Sequence, residues 1–160
     1  MNENCFDFKK LTEFFTKNNY NYVKIRIKQE TNLETIQKLC YVQQENHIVL
    51  NYSYFKNILK NKIYNWDEII QYIVNVKYKV LQTYSQFIVH MNIDRLTLMD
   101  IDKYYLFIQK ISQIMKEKFP EKMKICYIYN APYVFSTLFS IVSVLIDKDT
   151  QKKIKIIKVD

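Results

Sequence analysis

The chain of 160 residues contains no glycine. Every turn or helix exit that needs a positive backbone φ must therefore be made by a residue carrying a Cβ, and Asn and Asp tolerate that region best. Such turns are expected at Asn and Asp, and Asn is plentiful. The same absence removes whole classes of function. A P-loop, a dinucleotide fingerprint and a Gly-x-Ser-x-Gly elbow all need glycine for close backbone approach, so chemistry built on those motifs is excluded.

The remaining composition is that of one globular domain, 1–160. With 49% hydrophobic and 25% charged residues the chain can bury roughly 68–70% of its unfolded surface, which makes disorder and disulfide stapling unnecessary. Cys5, Cys40 and Cys126 are odd in number, far apart and accompanied only by His47 and His90. They offer neither a disulfide framework nor metal ligands, and a reducing compartment fits them best. Glu3 and Asp7 interrupt the first ten residues, which argues against a signal or transit peptide and for a chain that starts at Met1. The net charge of +8 accompanies 14 Tyr and 10 Phe, a combination that suits nucleic acid. No nucleic-acid module accompanies it, the aromatics fall at core spacing, and the Asn, Lys, Ile and Tyr usage matches an AT-rich coding background, so no nucleic-acid partner is expected.

Periodicity supplies the elements. Phe8, Leu11 and Phe15 share a helical face over 6–17, and Val23, Ile25 and Ile27 alternate with Lys24, Arg26 and Lys28 as a strand. Thr31 or Asn32 caps a short helix through Cys40, and His47 to Tyr52 reads as a second strand, followed by a polar stretch to Asn65. Asn65 with Glu68 makes a capping box before Ile69, Ile73, Val76 and Val80. Phe87 to Met91 is a strand. Asp100 or Asp102 then opens a helix with Ile101, Tyr104, Tyr105, Ile108, Ile111 and Met115 inward, which Pro120 stops.

Ile125 to Ile146 runs 22 residues without a charge, long enough to cross a hydrocarbon core. Asn130 and Pro132 divide it into a strand, Ile125 to Tyr129, and a helix, Tyr133 to Ile146, and each half is too short to span. The strand is apolar on both faces, as central parallel strands are. Ile154, Ile156 and Ile157 form a last strand. Strands alternating with helices predict an α/β domain, a mostly parallel sheet flanked by helices.

Chemistry is sparse. The carboxylate pairs sit where caps want them, and no Ser, Cys or Asp has a partner base, so the chain is expected not to be an enzyme. On the helix from Tyr133 to Ile146, Ser136, Ser140 and Ser143 form a narrow stripe and apolar side chains cover the rest. Two readings stay open: a core helix packed on both sides, or one with an apolar face on the protein and another on lipid. Parallel topology puts Glu121, Lys122 and Lys124 on the sheet's N-terminal edge; together with the basic segment from Asp147 to Lys158 they make either a solvated surface or one anion site.

Phe119-Pro120-Glu121-Lys122-Met123, then Tyr127 to Thr137 with Asn130-Ala131-Pro132, then Asp147 to Thr150 and Lys153-Ile154, in that order, resemble the lipid-binding half of the CRAL-TRIO domain. They are most similar to the fungal phosphatidylinositol/phosphatidylcholine transfer proteins. The resemblance runs from about Tyr84 to Lys158, and before Tyr84 only the order of elements matches. It implies a CRAL-TRIO-like lipid-binding domain of reduced size. In it, Tyr133, Phe135, Leu138, Phe139, Val142, Leu145 and Ile146 belong to a mobile gate over a hydrophobic pocket. The ligand it implies is a phospholipid, preferably phosphatidylinositol, with no other cofactor and no metal. By resemblance Lys153 and Thr150 meet the phosphate, Glu121 meets the inositol hydroxyls, Lys122 stands beside them, and Thr97 aligns with a serine that contacts choline lipids. The implied partner is an anionic membrane surface, touched transiently by a cytoplasmic protein peripheral to membranes.

The pattern also departs from the family. Its Asp-x-x-Gly is here Asn92-Ile93-Asp94-Arg95, and the gate's Lys-Pro is Ser143-Val144. The family's preceding helical bundle is short or missing and the chain ends where the family continues, so the pocket is expected to be reduced, open on one side, or closed by a protein partner. The alternative function is a structural subunit of a larger assembly, on an organellar membrane for example, that keeps the lipid fold without exchange.

Overall fold

The computed structural model describes residues 31–133 and 135–158. The helix expected over 6–17, the strand over 22–28 and Cys5 lie outside them. Thr31 caps helix α1 (Asn32–Leu39), its Oγ1 accepting from the Glu34 N–H at 3.1 Å, and the helix passes directly into β1 (Cys40–Gln44). A two-residue turn at Glu45 and Asn46 brings the chain back as β2 (His47–Asn51), antiparallel to β1.

The polar stretch expected after β2 is instead helix α2 (Tyr52–Lys60). Tyr54, Phe55 and Ile58 recur at i, i+1 and i+4 and are buried, while Ser53 and Asn57 join that buried face. A short amphipathic helix is thus written partly in polar letters. It ends in a Schellman motif, Ile63 N–H bonding to Ile58 O at 3.0 Å and Lys62 N–H to Leu59 O at 3.2 Å, with Lys62 at φ 53 where glycine is usual. Helix α3 (Trp66–Leu81) begins at the expected capping box of Asn65 and Glu68.

After β3 (Phe87–Asn92) the next helix starts earlier than expected. Thr97 is the cap of α4 (Leu98–Lys103), its Oγ1 accepting from the Asp100 N–H while the Asp100 carboxylate accepts from the Thr97 N–H. Asp100 is the third residue of a capping box, the place its short side chain can reach back from. The helix breaks at Tyr104 and resumes as α5 (Tyr105–Lys118), followed by β4 (Met123–Tyr129). Then come α6 (Phe135–Val142), one 3-10 turn (Ser143–Leu145), α7 (Lys148–Lys152) and β5 (Ile154–Ile156).

The sheet order is β1-β2-β3-β4-β5, and every pair after the first is parallel. The fold is therefore the α/β class read from the alternation of elements. Residues 125–129 of β4 are all buried, as a strand covered on both faces requires. Ile48, Val89, Cys126 and Ile128 face the larger core with α2, α3 and α5. Val49, Ile88, Ile125, Tyr127 and Tyr129 form a second cluster on the other face. On that second face His47 Nδ1 lies 2.7 Å from His90 Nε2, and His90 Nδ1 lies 2.8 Å from Tyr129 Oη, a buried polar chain across three strands.

Among the described residues, left-handed backbone falls on Glu45, Lys62, Arg95, Glu121 and Asn130. The expectation that Asn and Asp would take these turns holds at Asn130 alone. The hydrogen-bond pattern of each turn fixes the backbone, and a non-glycine side chain there costs on the order of 1–2 kcal/mol, which the flanking elements offset.

Candidate functional site

Between the larger-core face of the sheet and helices α5 and α6 lies a cavity of about 320 Å³. Leu50, Met91, Cys126, Ile128 and Ile154 give its floor, and Tyr104, Ile108 and Ile111 one wall. The other wall is α6. Phe135, Leu138, Phe139 and Val142 project into the cavity, and Ile146 closes the end nearest β5. The polar groups on this lining are few, Asn51, Tyr52, Asp100 and Ser112 among them. The Asp100 carboxylate is engaged by the Thr97 N–H at 3.3 Å and by Lys56 Nζ at 3.4 Å. A cavity of this kind favours hydrocarbon over water.

The residues expected in a gate divide. Leu138 is fully buried, Phe135, Phe139, Val142 and Ile146 are half-buried on the cavity wall, and Tyr133 precedes α6 at 99% exposure. Leu145 is half-buried in the 3-10 turn, off the cavity wall. The helix expected over Tyr133 to Ile146 is thus shorter, ending at Val142. Ser140 Oγ donates back to Ser136 O at 2.9 Å and Ser143 Oγ to Ser140 O at 3.0 Å, competition that suits a tightened last turn. The exposed carbonyls beyond are taken by one side chain, since Gln151 Nε2 donates to Ser143 O at 2.9 Å and to Ile146 O at 2.7 Å. Ser136, Thr137, Ser140 and Ile141 face outward. The reading of a helix packed on both sides gives way to one with a cavity face and an open face.

The sheet's N-terminal edge collects four of the sequence candidates. Phe119 to Lys122 forms a turn with Pro120 second and Glu121 third at φ 58, closed by the Lys122 N–H to Phe119 O bond at 3.2 Å. That is the type II pattern with Glu in the place glycine usually takes, and it leaves the Glu121 and Lys122 side chains exposed. Thr150 and Lys153 arrive on the same edge through α7, where Lys153 O accepts from the Cys126 N–H at 2.8 Å as β5 joins β4. Asp147 caps α7, accepting from both the N–H and the hydroxyl of Thr150 at 2.8 Å, and those two donors hold its carboxyl below the usual range. Ile154, the residue after Lys153, lines the cavity. Thr97 caps α4 at the opposite, C-terminal edge of the sheet, away from the other four.

Two features had weak sequence signals. Tyr52 and Phe55 of α2 line the cavity, signalled only by the Tyr54, Phe55, Ile58 spacing. Lys77 is buried on α3 in line with Ile69 and Ile73, its Nζ 3.0 Å from Met115 Sδ and 4.9 Å from the Phe87 ring centre. Burial pulls it down to about 8. The same desolvation pushes the Cys40 and Cys126 thiols up to about 12, which makes them poor nucleophiles.

The profile of the CRAL/TRIO domain matches residues 34–160. The Sec14 cytosolic factor of Schizosaccharomyces pombe is 33% identical over 67 residues, 42% of this chain and 23% of that protein. The crystal structure of Sfh5 superposes with a TM-score of 0.64 at 16% identity, covering 79% of this chain and 49% of that one. The chain therefore spans less than half the length of these two relatives, and the likeness to Sfh5 is one of fold. With the family profile matched over most of its length, the chain belongs to the CRAL/TRIO domain family.

Proposed function

We propose that this domain binds and transfers or presents one phospholipid, with acyl chain in the apolar cavity and headgroup at the sheet's N-terminal edge. The observation that carries this reading is the nearly all-apolar cavity of about 320 Å³ with one helix, α6, as its outer wall. Its end at Ile146 and Ile154 adjoins Asp147 and Lys153 in the chain. A lipid lying there has its phosphate next to Lys153 and Thr150 and its inositol hydroxyls near Glu121, with Lys122 alongside. Charge-assisted hydrogen bonds of that kind are about twice as strong as neutral ones. Thr150 must first release its hydroxyl from Asp147.

The cavity volume is at the low end of the range for ligand sites, about 300–1,000 Å³, so a whole lipid enters only as α6 moves outward. Methylenes are as dry in a bilayer as in the cavity, which leaves the net transfer near zero and gives control of the rate to α6. Leu106 is 66% exposed, Met99 83% and Val144 77%. With Tyr133 they supply apolar side chains for a membrane surface, and each nearby lysine adds about 1 kcal/mol on an anionic one. No helix among the described residues is long and apolar enough to cross a membrane. The same exposed side chains also fit a protein partner, the second reading, in which the domain is a structural subunit.

The test is native mass spectrometry of the chain after incubation with liposomes of phosphatidylinositol, phosphatidylcholine and phosphatidylserine, alongside Lys153→Ala. One bound phosphatidylinositol, lost selectively in the variant, is the expected result. A folded chain that takes up no lipid overturns the proposal and favours the subunit reading.

A further inference from the structure

Lys77 is 7% exposed where α3 meets α5 and the start of β3, and no carboxylate among the described residues acts on its ammonium. Its Nζ has one acceptor, Met115 Sδ at 3.0 Å, and stands 4.9 Å from the Phe87 ring centre and 5.7 Å from that of Phe119. An ammonium carries three donors, so one thioether leaves it poorly met, and a buried charge without an opposite one is costly. Attraction to the two ring faces returns only part of that cost.

The titratable groups that face Lys77 are thiols, Cys40 at the start of β1 and Cys126 in β4. Both are pushed up to about 12 and stay neutral while the amine titrates. From α5 comes Met115, from β3 Phe87, and from the turn over 119–122 Phe119; the charged members of that turn, Glu121 and Lys122, are exposed. Desolvation of the amine therefore has no counterweight of opposite charge.

The same turn lies over the amine. Phe119, 5% exposed, is its first residue, and its ring packs on Phe87 at 5.8 Å and on Tyr78 at 4.9 Å. The Phe87 N–H bonds to Lys122 O at 2.9 Å and Gln86 Nε2 to Glu121 O at 3.0 Å, two straps that hold the turn on the start of β3. We propose that Lys77 is a pH-sensitive latch beneath this turn: as a neutral amine it lets Phe87 and Phe119 close over it, and as an ammonium, drawn toward water, it loosens the straps. In the folded chain the amine gives up its proton near 8, in the unfolded chain near the ordinary 10.5. Across that window the unfolded state holds more protons, so stability rises with pH, by up to about tenfold per pH unit in the folding equilibrium.

The test uses the full chain with isotope-labelled lysine. The Lys77 Cε resonance, assigned by its absence in Lys77→Met, is followed by NMR from pH 7 to pH 10, together with urea midpoints and hydrogen-exchange protection, corrected for the intrinsic rate, at the Phe87 and Lys122 amides. Methionine conserves the volume of the side chain and carries no charge, so the variant keeps the fold. A Cε midpoint near 8 is expected, with protection at both amides rising about tenfold through it in the parent and staying constant in Lys77→Met. The urea midpoint of the parent rises toward that of the variant over the same range. A Cε midpoint near the ordinary 10.5 means that the amine reaches water, and overturns the latch. So does a midpoint near 8 with unchanged protection at the two amides, or an equal pH response in Lys77→Met. No lipid enters the measurement, so the latch is judged apart from the headgroup reading of Glu121 and Lys122.

Discussion

Asn92 Oδ1 accepts a hydrogen bond from Asn130 Nδ2 at 2.9 Å, joining the last residue of β3 to the residue that follows β4. The same oxygen accepts from the Asp94 N–H at 3.1 Å, and Asn92 Nδ2 reaches Asn51 Oδ1 at the end of β2. Three parallel strands are thereby tied at their C-terminal ends by one row of asparagines. The tie also fixes both loops that leave it, toward Arg95 and toward Pro132 and α6.

Asn92→Ala removes the centre of that row and leaves partly buried donors at Asn130 and Asp94 unmet. The expected loss is about 2 kcal/mol, within the range for buried polar groups stripped of partners, read as a lower urea midpoint. An unchanged midpoint would show that the row is decoration on an already rigid edge.

Gln151 links the proposed gate to the proposed headgroup edge, because its amide takes two carbonyls at the end of the α6 segment and it lies between Thr150 and Lys153 in the chain. Gln151→Ala is expected to cost about 1 kcal/mol in stability. Its larger effect is local: faster hydrogen exchange over residues 135–146, and faster lipid exchange if α6 sets the rate. Uniform loss of protection across the whole sheet instead would assign Gln151 a purely global role.

Glu121→Gly separates stability from binding. Relieving φ 58 at the third position of the Pro120 turn raises stability by about 1 kcal/mol. The same change deletes the carboxylate proposed to accept the inositol hydroxyls. A higher melting temperature with weaker phosphatidylinositol retention is expected, and undiminished retention would remove Glu121 from the headgroup site.

Why some of this was legible in the sequence follows from where the signals reside. The capping box at Asn65 and Glu68, the alternation that predicts a parallel sheet, and the split at Asn130 and Pro132 are local and written in few residues. Helix α2 was hidden because Ser53 and Asn57 occupy buried positions, so hydrophobicity alone undercounts its inner face. The early end of α6 depends on the serine back-bonds and on Gln151, a residue outside the helix. Thr97, the candidate for choline lipids, also caps α4 through its hydroxyl, at the far edge from Lys153, a role its sequence neighbours did not single out.

The buried chain from His47 through His90 to Tyr129 makes stability depend on pH. Desolvation, with the neighbouring His47, pulls His90 from the ordinary value of 6.5 down to about 3. In the folded protein the imidazole stays neutral where the unfolded chain already binds a proton. Between pH 6.5 and about 3 the unfolded state therefore holds more protons, and stability falls as the pH is lowered, by up to about 1.4 kcal/mol per pH unit from this group. In the neutral ring one His90 nitrogen accepts while the other donates, between His47 Nδ1 and Tyr129 Oη, and protonation turns both into donors. Carboxylates titrate in the same range, so the measurement is a comparison: urea midpoints from pH 7 to pH 4 for the parent chain and for His90→Gln. The variant is expected to be less stable at pH 7, having lost a buried partner for Tyr129, but to lose less on acidification. Parallel slopes would show that His90 takes up its proton in the folded state without penalty, and the desolvation account of this face would fall.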